Sequence, residues 1–289
     1  MGLFSDGRES RLMFIRELIL GYVEHVKDFT YMESLLAMAD IDTVFDELAE
    51  LLGSENGEQA SIANLFIRDI ALLAPEHIGR EFKRKIRDSY LIEALNSNIF
   101  SKNHFVRYDS IYTLGKLGIT RSINLLIEAF HTYKETDPII LPGLVFELFW
   151  LQENDDWEIV GSLLQSPNYP TRWSTLRILD HTVYQYPNDP KPAKFKKSCI
   201  KKLIKDENQL IQQEAIYQNL KLEYAEKTLD LPKKEKRIIL KKEVESFKPS
   251  ICFMNVQIQF TNYLIETKKT SYTINELKSF IDKMSQKRS

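Results

Sequence analysis

Apolar residues recur at three- and four-residue steps along almost the whole chain. In residues 12–26, Phe14, Leu18, Ile19, Tyr22 and Val26 fall on one helical stripe. The same step returns in residues 44–52, 62–73, 123–130 and 238–247. Strict alternation is rare. Val256, Ile258 and Phe260 alternate with glutamines and make the best strand candidate. They sit inside a longer apolar run over residues 251–265, and that length predicts a helix.

Breakers divide the stripes at regular places. Gly118 and Thr120 separate one pair of runs, with Thr120 placed to cap the helix that follows. Asp137 and Pro138 open another helix, and Asn154, Asp155 and Asp156 offer caps before Trp157. Pro167 and Pro170 bracket a break, and Pro170 suits a first turn because its missing N–H costs nothing there. Pro187, Pro190 and Pro192 make the strongest loop signal; Asn208, Pro232 and Pro249 mark the remaining breaks. One set of helices then begins near 104, 138, 170, 209 and 250, and a second near 121, 155, 193, 233 and 274. Two-helix units with irregular periods of about 32–41 residues are the signature of an α-solenoid. One pair cannot bury its own stripe, so neighbours stack and share a core. The expectation is an all-α fold, an α-α superhelix of stacked antiparallel pairs. Residues 1–100 are also helical but less periodic, a cap or degenerate repeats continuous with the repeats of 101–289.

Segment 104–118 carries the sharpest pattern. Val106 and Arg107 lead through Ser110 and Thr113 to Leu114, Gly115, Lys116 and Leu117. This resembles the second helix of a HEAT repeat, which runs from a valine–arginine pair through small residues to a leucine–glycine–x–leucine close. Ser110 and Thr113 stand where the family prefers alanine, and Asp109 departs from the small-residue pattern. Residues 170–179 form a weaker copy with Arg172 at the arginine position; in residues 210–216 Gln212 replaces it. The resemblance spans about residues 60–289 and implies a HEAT-like solenoid. It implies a structural role for Arg107 and Arg172, bonding helix ends or loops between repeats. It also implies which side chains face the concave groove. Tyr108, Trp173 and Gln213 take equivalent positions, and Tyr112, Arg177 and Tyr217 lie four residues on. Together these six form a partner-binding ridge rich in the residue types of interface hot spots.

Charge sharpens the picture. The overall balance of 39 Lys+Arg against 41 Asp+Glu conceals a split. Residues 1–190 hold 17 basic and 29 acidic side chains, a net −12, and residues 191–289 hold 22 and 12, a net +10. Such asymmetry orients a charged partner, and the acidic front suits a basic one. Two lysine-rich first helices carry much of the positive charge. One holds Lys191, Lys194, Lys196, Lys197, Lys201, Lys202 and Lys205; the other holds Lys233, Lys234, Lys236, Arg237, Lys241 and Lys242. Both read as solvated convex faces.

Catalytic patterns are missing. His25, His77, His104, His131 and His181 lack zinc-helix spacing, and Cys199 and Cys252 form no paired motif. There is no glycine-rich phosphate loop and no nucleophile elbow. Asp155, Asp156 and Glu158 beside Trp157 read as helix-start charges rather than an acid–base pair. No metal and no cofactor are expected. Trp150, Trp157 and Trp173, with Phe146, Phe149 and Tyr169, form an aromatic group fit for packing or for a partner. No apolar run reaches transmembrane length, and residues 1–10, with Asp6, Arg8 and Glu9, lack a secretory leader's apolar stretch. With only two cysteines, the expectation is a cytoplasmic protein that does not engage a membrane. The leading functional expectation is a non-catalytic scaffold, adaptor or immunity-type inhibitor gripping another protein in its groove. The alternative is a nucleic-acid-binding HEAT-like protein related to alkylpurine DNA glycosylases; no glycosylase motif matches residue by residue. A HEAT-like bilin lyase ranks third, with no segment in its support.

Overall fold

The computed structural model describes residues 5–26, 28–38, 40–73, 76–152, 157–182 and 190–286. Among them the fold is all-α, with sixteen α-helices and no strand. The chain divides into two compact units: Met1–Ala129 with Glu147–Glu153, and Phe130–Phe146 with Asn154–Ser289.

The first unit holds α1 (Ser5–Gly21), α2 (Phe29–Met38), α3 (Ile41–Leu52), α4 (Gly57–Leu73), α5 (Glu76–Arg87), α6 (Leu91–Asn98) and α7 (His104–Leu117). It also takes most of α8 (Ile123–Tyr133) and the end of α9 (Leu141–Leu151). Its centre is the packing of α4 along α7, with α3 and α6 beside them. Ala60, Ala63, Ser110 and Thr113 are buried and small enough to let helices approach. Asn64, also buried, donates to Ser110 Oγ at 3.3 Å. Asp40 caps α3 by accepting from Thr43 N–H, and Asn103 caps α7 by accepting from Phe105 N–H. Gly118 ends α7 in the left-handed region at φ 70°, where glycine has no Cβ penalty. Thr120 does not cap α8. It opens a 3-10 turn (Thr120–Ser122), and the buried Ser122 hydroxyl donates to Asn96 Oδ1 at 2.7 Å.

The second unit holds α10 (Trp157–Ser162), α11 (Tyr169–Thr182), α12 (Pro190–Leu203), α13 (Gln209–Lys227), α14 (Lys233–Ile239), α15 (Phe253–Glu266) and α16 (Ile274–Gln286). Most helix starts fall within about three residues of the expected positions. Pro190 opens α12 instead of extending the loop before it. The caps at Asn154, Asp155 and Asp156, and the Pro187 loop, lie outside the described residues. Residues 253–266 are helical as their length implied, with Val256, Phe260 and Leu264 buried at four-residue steps. Residues 238–247 depart from a plain α-helix. After α14, which buries no side chain, Leu240–Val244 widens into a π turn that seats Val244 in the core.

The last helix pair folds back within its unit. α15 packs on α11, Gln257 donates to Ile139 O at 2.8 Å, and Lys278 donates to Asn168 Oδ1 at 2.8 Å. Tyr272 donates to Asp137 Oδ1 at 2.5 Å. These bonds place α15 and α16 over the start of α11 and over the turn before α9.

Candidate functional site

Two groups of side chains stand out, one in each unit. In the first unit, Tyr108 and Tyr112 lie one turn apart on α7 and stack with ring centroids 6.5 Å apart. The Arg68 guanidinium, from α4, lies 4.9 Å from the Tyr112 ring centre. The Lys116 ammonium lies 4.6 Å from the same ring and 5.8 Å from that of Trp150, on α9. Trp150 is 62% exposed and Tyr108 39% exposed, so the group faces solvent. Cations over ring faces hold such aromatics in fixed orientations.

Beneath this face the carboxylates are enclosed. Glu147 is buried and accepts from Lys116 Nζ at 2.8 Å. Burial pushes its carboxyl above the ordinary range, and Lys116 pulls it partly back. Asp109, 3.9 Å from Arg68, is also pushed up by burial, against the Ser61 hydroxyl and the nearby cations. A Cβ at position 115 would collide with the Glu147 side chain, so Gly115 sets how closely α7 and α9 meet.

The other four ridge residues lie in the second unit, and the structure separates them. Trp173 is fully buried. Its indole N–H donates to Glu214 Oε2 at 2.5 Å, and its ring meets Phe253 edge-on with centroids 5.9 Å apart. The helix face read as open groove is covered there by the chain's own α15, so Trp173 offers a partner no surface. Gln213 is exposed, whereas Arg177 and Tyr217 are half-buried and line a cavity. Each structural arginine reaches a carbonyl six residues upstream. Arg107 donates to Ser101 O at 2.7 Å, and Arg172 to Ser166 O at 2.8 Å. Arg172 also pairs with Asp206 and Glu207 in the turn before α13. The lysine-rich α12 is exposed at Lys194, Lys201 and Lys202 but not throughout. Lys196 is buried against Asp180 at 3.2 Å, and burial lowers its pKa.

The cavity measures about 160 Å³ and is bounded by α11, α13 and the chain entering α15. Glu214 forms part of its wall. It accepts from Trp173, from Phe253 N–H at 2.8 Å and from Gln218 Nε2 at 3.4 Å. Burial nonetheless outweighs these donors and pushes the Glu214 carboxyl up to about 7. Burial likewise raises the Cys252 thiol at the same wall. A larger cleft of about 540 Å³ lies between α15 and α16 around Tyr263, Phe280 and Met284. It gathers fewer polar groups.

The sequence pattern singled out neither Glu214 nor the paired Lys116 and Glu147. The one signal for Glu214 was an acid flanked by the apolar Ile211 and Ala215 on a helix stripe. Among the described residues, no group of three or more His, Cys, Asp or Glu is placed to hold a metal ion. No helix of the described residues is long and apolar enough to cross a membrane. No protein-family model matches the chain, and no curated protein or solved structure matches it significantly.

Proposed function

We propose that this chain is a non-catalytic, HEAT-like interaction protein of the cytoplasm. Its principal contact with a protein partner is the Tyr108–Tyr112–Trp150 face. The observation that carries this reading is the combination of exposed aromatics with Arg68 and Lys116 set over their rings. Rigid Tyr, Trp and Arg surfaces of this kind supply most of the energy in protein interfaces. The carboxylates on that face already have positioned cations, which suits the group to docking. The −12 net charge of residues 1–190 favours a basic partner.

Affinity capture from the native cell, followed by calorimetry on the captured partner, tests the proposal. Tyr108→Ala and Trp150→Ala are each expected to weaken binding by more than about 1 kcal/mol. Unchanged affinity in both variants removes this face as the contact.

Nucleic-acid binding is the second reading, and the exposed lysines favour it. Lys233, Lys234, Lys241 and Lys242 project from a segment in which α14 buries nothing. These are lysines without interleaved aromatics, a pattern of solvation more than of readout.

A further inference from the structure

We infer that the cavity between α11, α13 and the start of α15 is a carboxylate-binding site, with the Arg177 guanidinium as its recognition group. The inference is independent of the aromatic face in the first unit. It rests on which charges inside the cavity are already matched. Asp180 accepts from Lys196 at 3.2 Å and has Lys221 at 3.8 Å, so two cations share its single charge. Arg177 makes no ion pair or hydrogen bond among the described residues, and its Nε is enclosed without a partner. An enclosed N–H left without an acceptor is costly, and a bound anion that accepts from the half-buried guanidinium removes that cost. Lys248 stands exposed at the rim, likewise without an acid among the described residues, and adds a second free positive charge.

The geometry narrows the anion. A guanidinium presents coplanar N–H donors that match the two oxygens of a carboxylate. At about 160 Å³ the space is well below the roughly 300–1,000 Å³ of drug-sized pockets, so it takes one acid group on a short stem. Pro249 and Met254 supply apolar wall for that stem, and Asn255 and Gln218 supply polar groups deeper in. Glu214 loses most of its negative charge below neutrality, which lessens its repulsion of an incoming anion. A dianionic phosphate would meet the Asp180 carboxylate with twice the charge. The shared chemistry is a carboxylate on a short chain, either a free small acid or a glutamate side chain of a bound protein.

Cys252 lines the cavity and is half-buried, whereas Cys199 is buried elsewhere, so iodoacetamide labelling of Cys252 reports occupancy. Labelling of the full chain is followed by mass spectrometry with four probes: butyrate, its neutral analogue butyramide, a capped Gly-Glu-Gly peptide and inorganic phosphate. The expected result is saturable protection of at least threefold by butyrate or the peptide, and none by butyramide. Arg177→Gln is expected to raise the half-protection concentration at least tenfold, and Lys248→Gln severalfold. Tighter protection by the peptide assigns the carboxylate to a protein, and tighter protection by butyrate assigns it to a free acid. Both outcomes support the site. Protection by butyramide, phosphate as effective as either carboxylate, or no protection at all overturns it. Thermal melts without ligand show whether Arg177→Gln folds; if it does not, Lys248→Gln, at an exposed rim position, decides.

Discussion

Gly115 and Glu147 meet so closely that neither side chain is free to change alone. An alanine usually stabilises a helix by about 1 kcal/mol over glycine. At position 115 the added Cβ strikes the buried Glu147 side chain, which Lys116 holds in place. Gly115→Ala is therefore expected to destabilise by about 1–3 kcal/mol in urea melts, the usual penalty of overpacking. Adding Glu147→Ala should recover part of that loss, so the double variant is less destabilised than the sum of the two singles. Additive losses would show that the collision does not occur. Glu214 makes a second residue-scale prediction. A carboxyl raised from 4.5 to about 7 on folding binds more protons folded than unfolded between those values. Its contribution to stability is thus full below pH 4.5 and falls as pH rises to about 7, by up to about 3 kcal/mol. Both stronger donors, Trp173 N–H and Phe253 N–H, converge on one oxygen, so a glutamine retains them through its amide oxygen. Glu214→Gln should flatten that pH window relative to the parent chain. Parallel stability–pH curves would place the carboxyl near its ordinary range.

Helix existence was legible in the sequence because it depends on local spacing and on breakers within a few residues. Asn208 caps α13 by accepting from Leu210 and Ile211 N–H, and Pro232 stands immediately before α14, where both were expected to mark breaks. Which face of a helix stays open was not legible from the same information. The cover over Trp173 comes from residues 80 and more positions later, and the bonds that seat it join Gln257 to Ile139 and Tyr272 to Asp137. No period in the sequence encodes pairings over 118 and 135 residues. Five of the six ridge positions remain exposed or half-buried on their own helices: Tyr108, Tyr112, Arg177, Gln213 and Tyr217. Trp173, by contrast, belongs to the seam between α11 and α15. Trp173→Ala is expected to destabilise by about 3–5 kcal/mol, as large buried aromatics do, and to leave Glu214 with one donor fewer. Denaturant melts measure it. A loss below about 1 kcal/mol would mean that α15 does not close over this ring in solution.

At the scale of the whole chain, the opposed charges of −12 and +10 bias the approach of a charged partner. Nucleic acid binds by releasing counterions, and its affinity falls steeply with salt when several lysines contact phosphates. Such contacts need a continuous basic surface. On α12, Lys196 is withdrawn into an ion pair with Asp180, and Lys197 faces Glu226 at 3.0 Å. On the following segment, Lys227 pairs with Glu243 at 3.0 Å. These acids interrupt the basic surface, and the acidic front of the chain repels a polyanion at longer range. The expected result is no appreciable DNA or RNA binding in gel-shift titrations at physiological salt. A weak, sequence-independent shift at low salt should vanish as salt rises. Charge reversal of Lys201, Lys202, Lys233 and Lys234 to Glu should then leave protein-partner affinity within a few fold, because none of those side chains is part of the Tyr108–Tyr112–Trp150 group. Tight nucleic-acid binding at physiological salt, abolished by the same reversals, would overturn the proposed role of the aromatic face of α7 in favour of the lysine-rich helices.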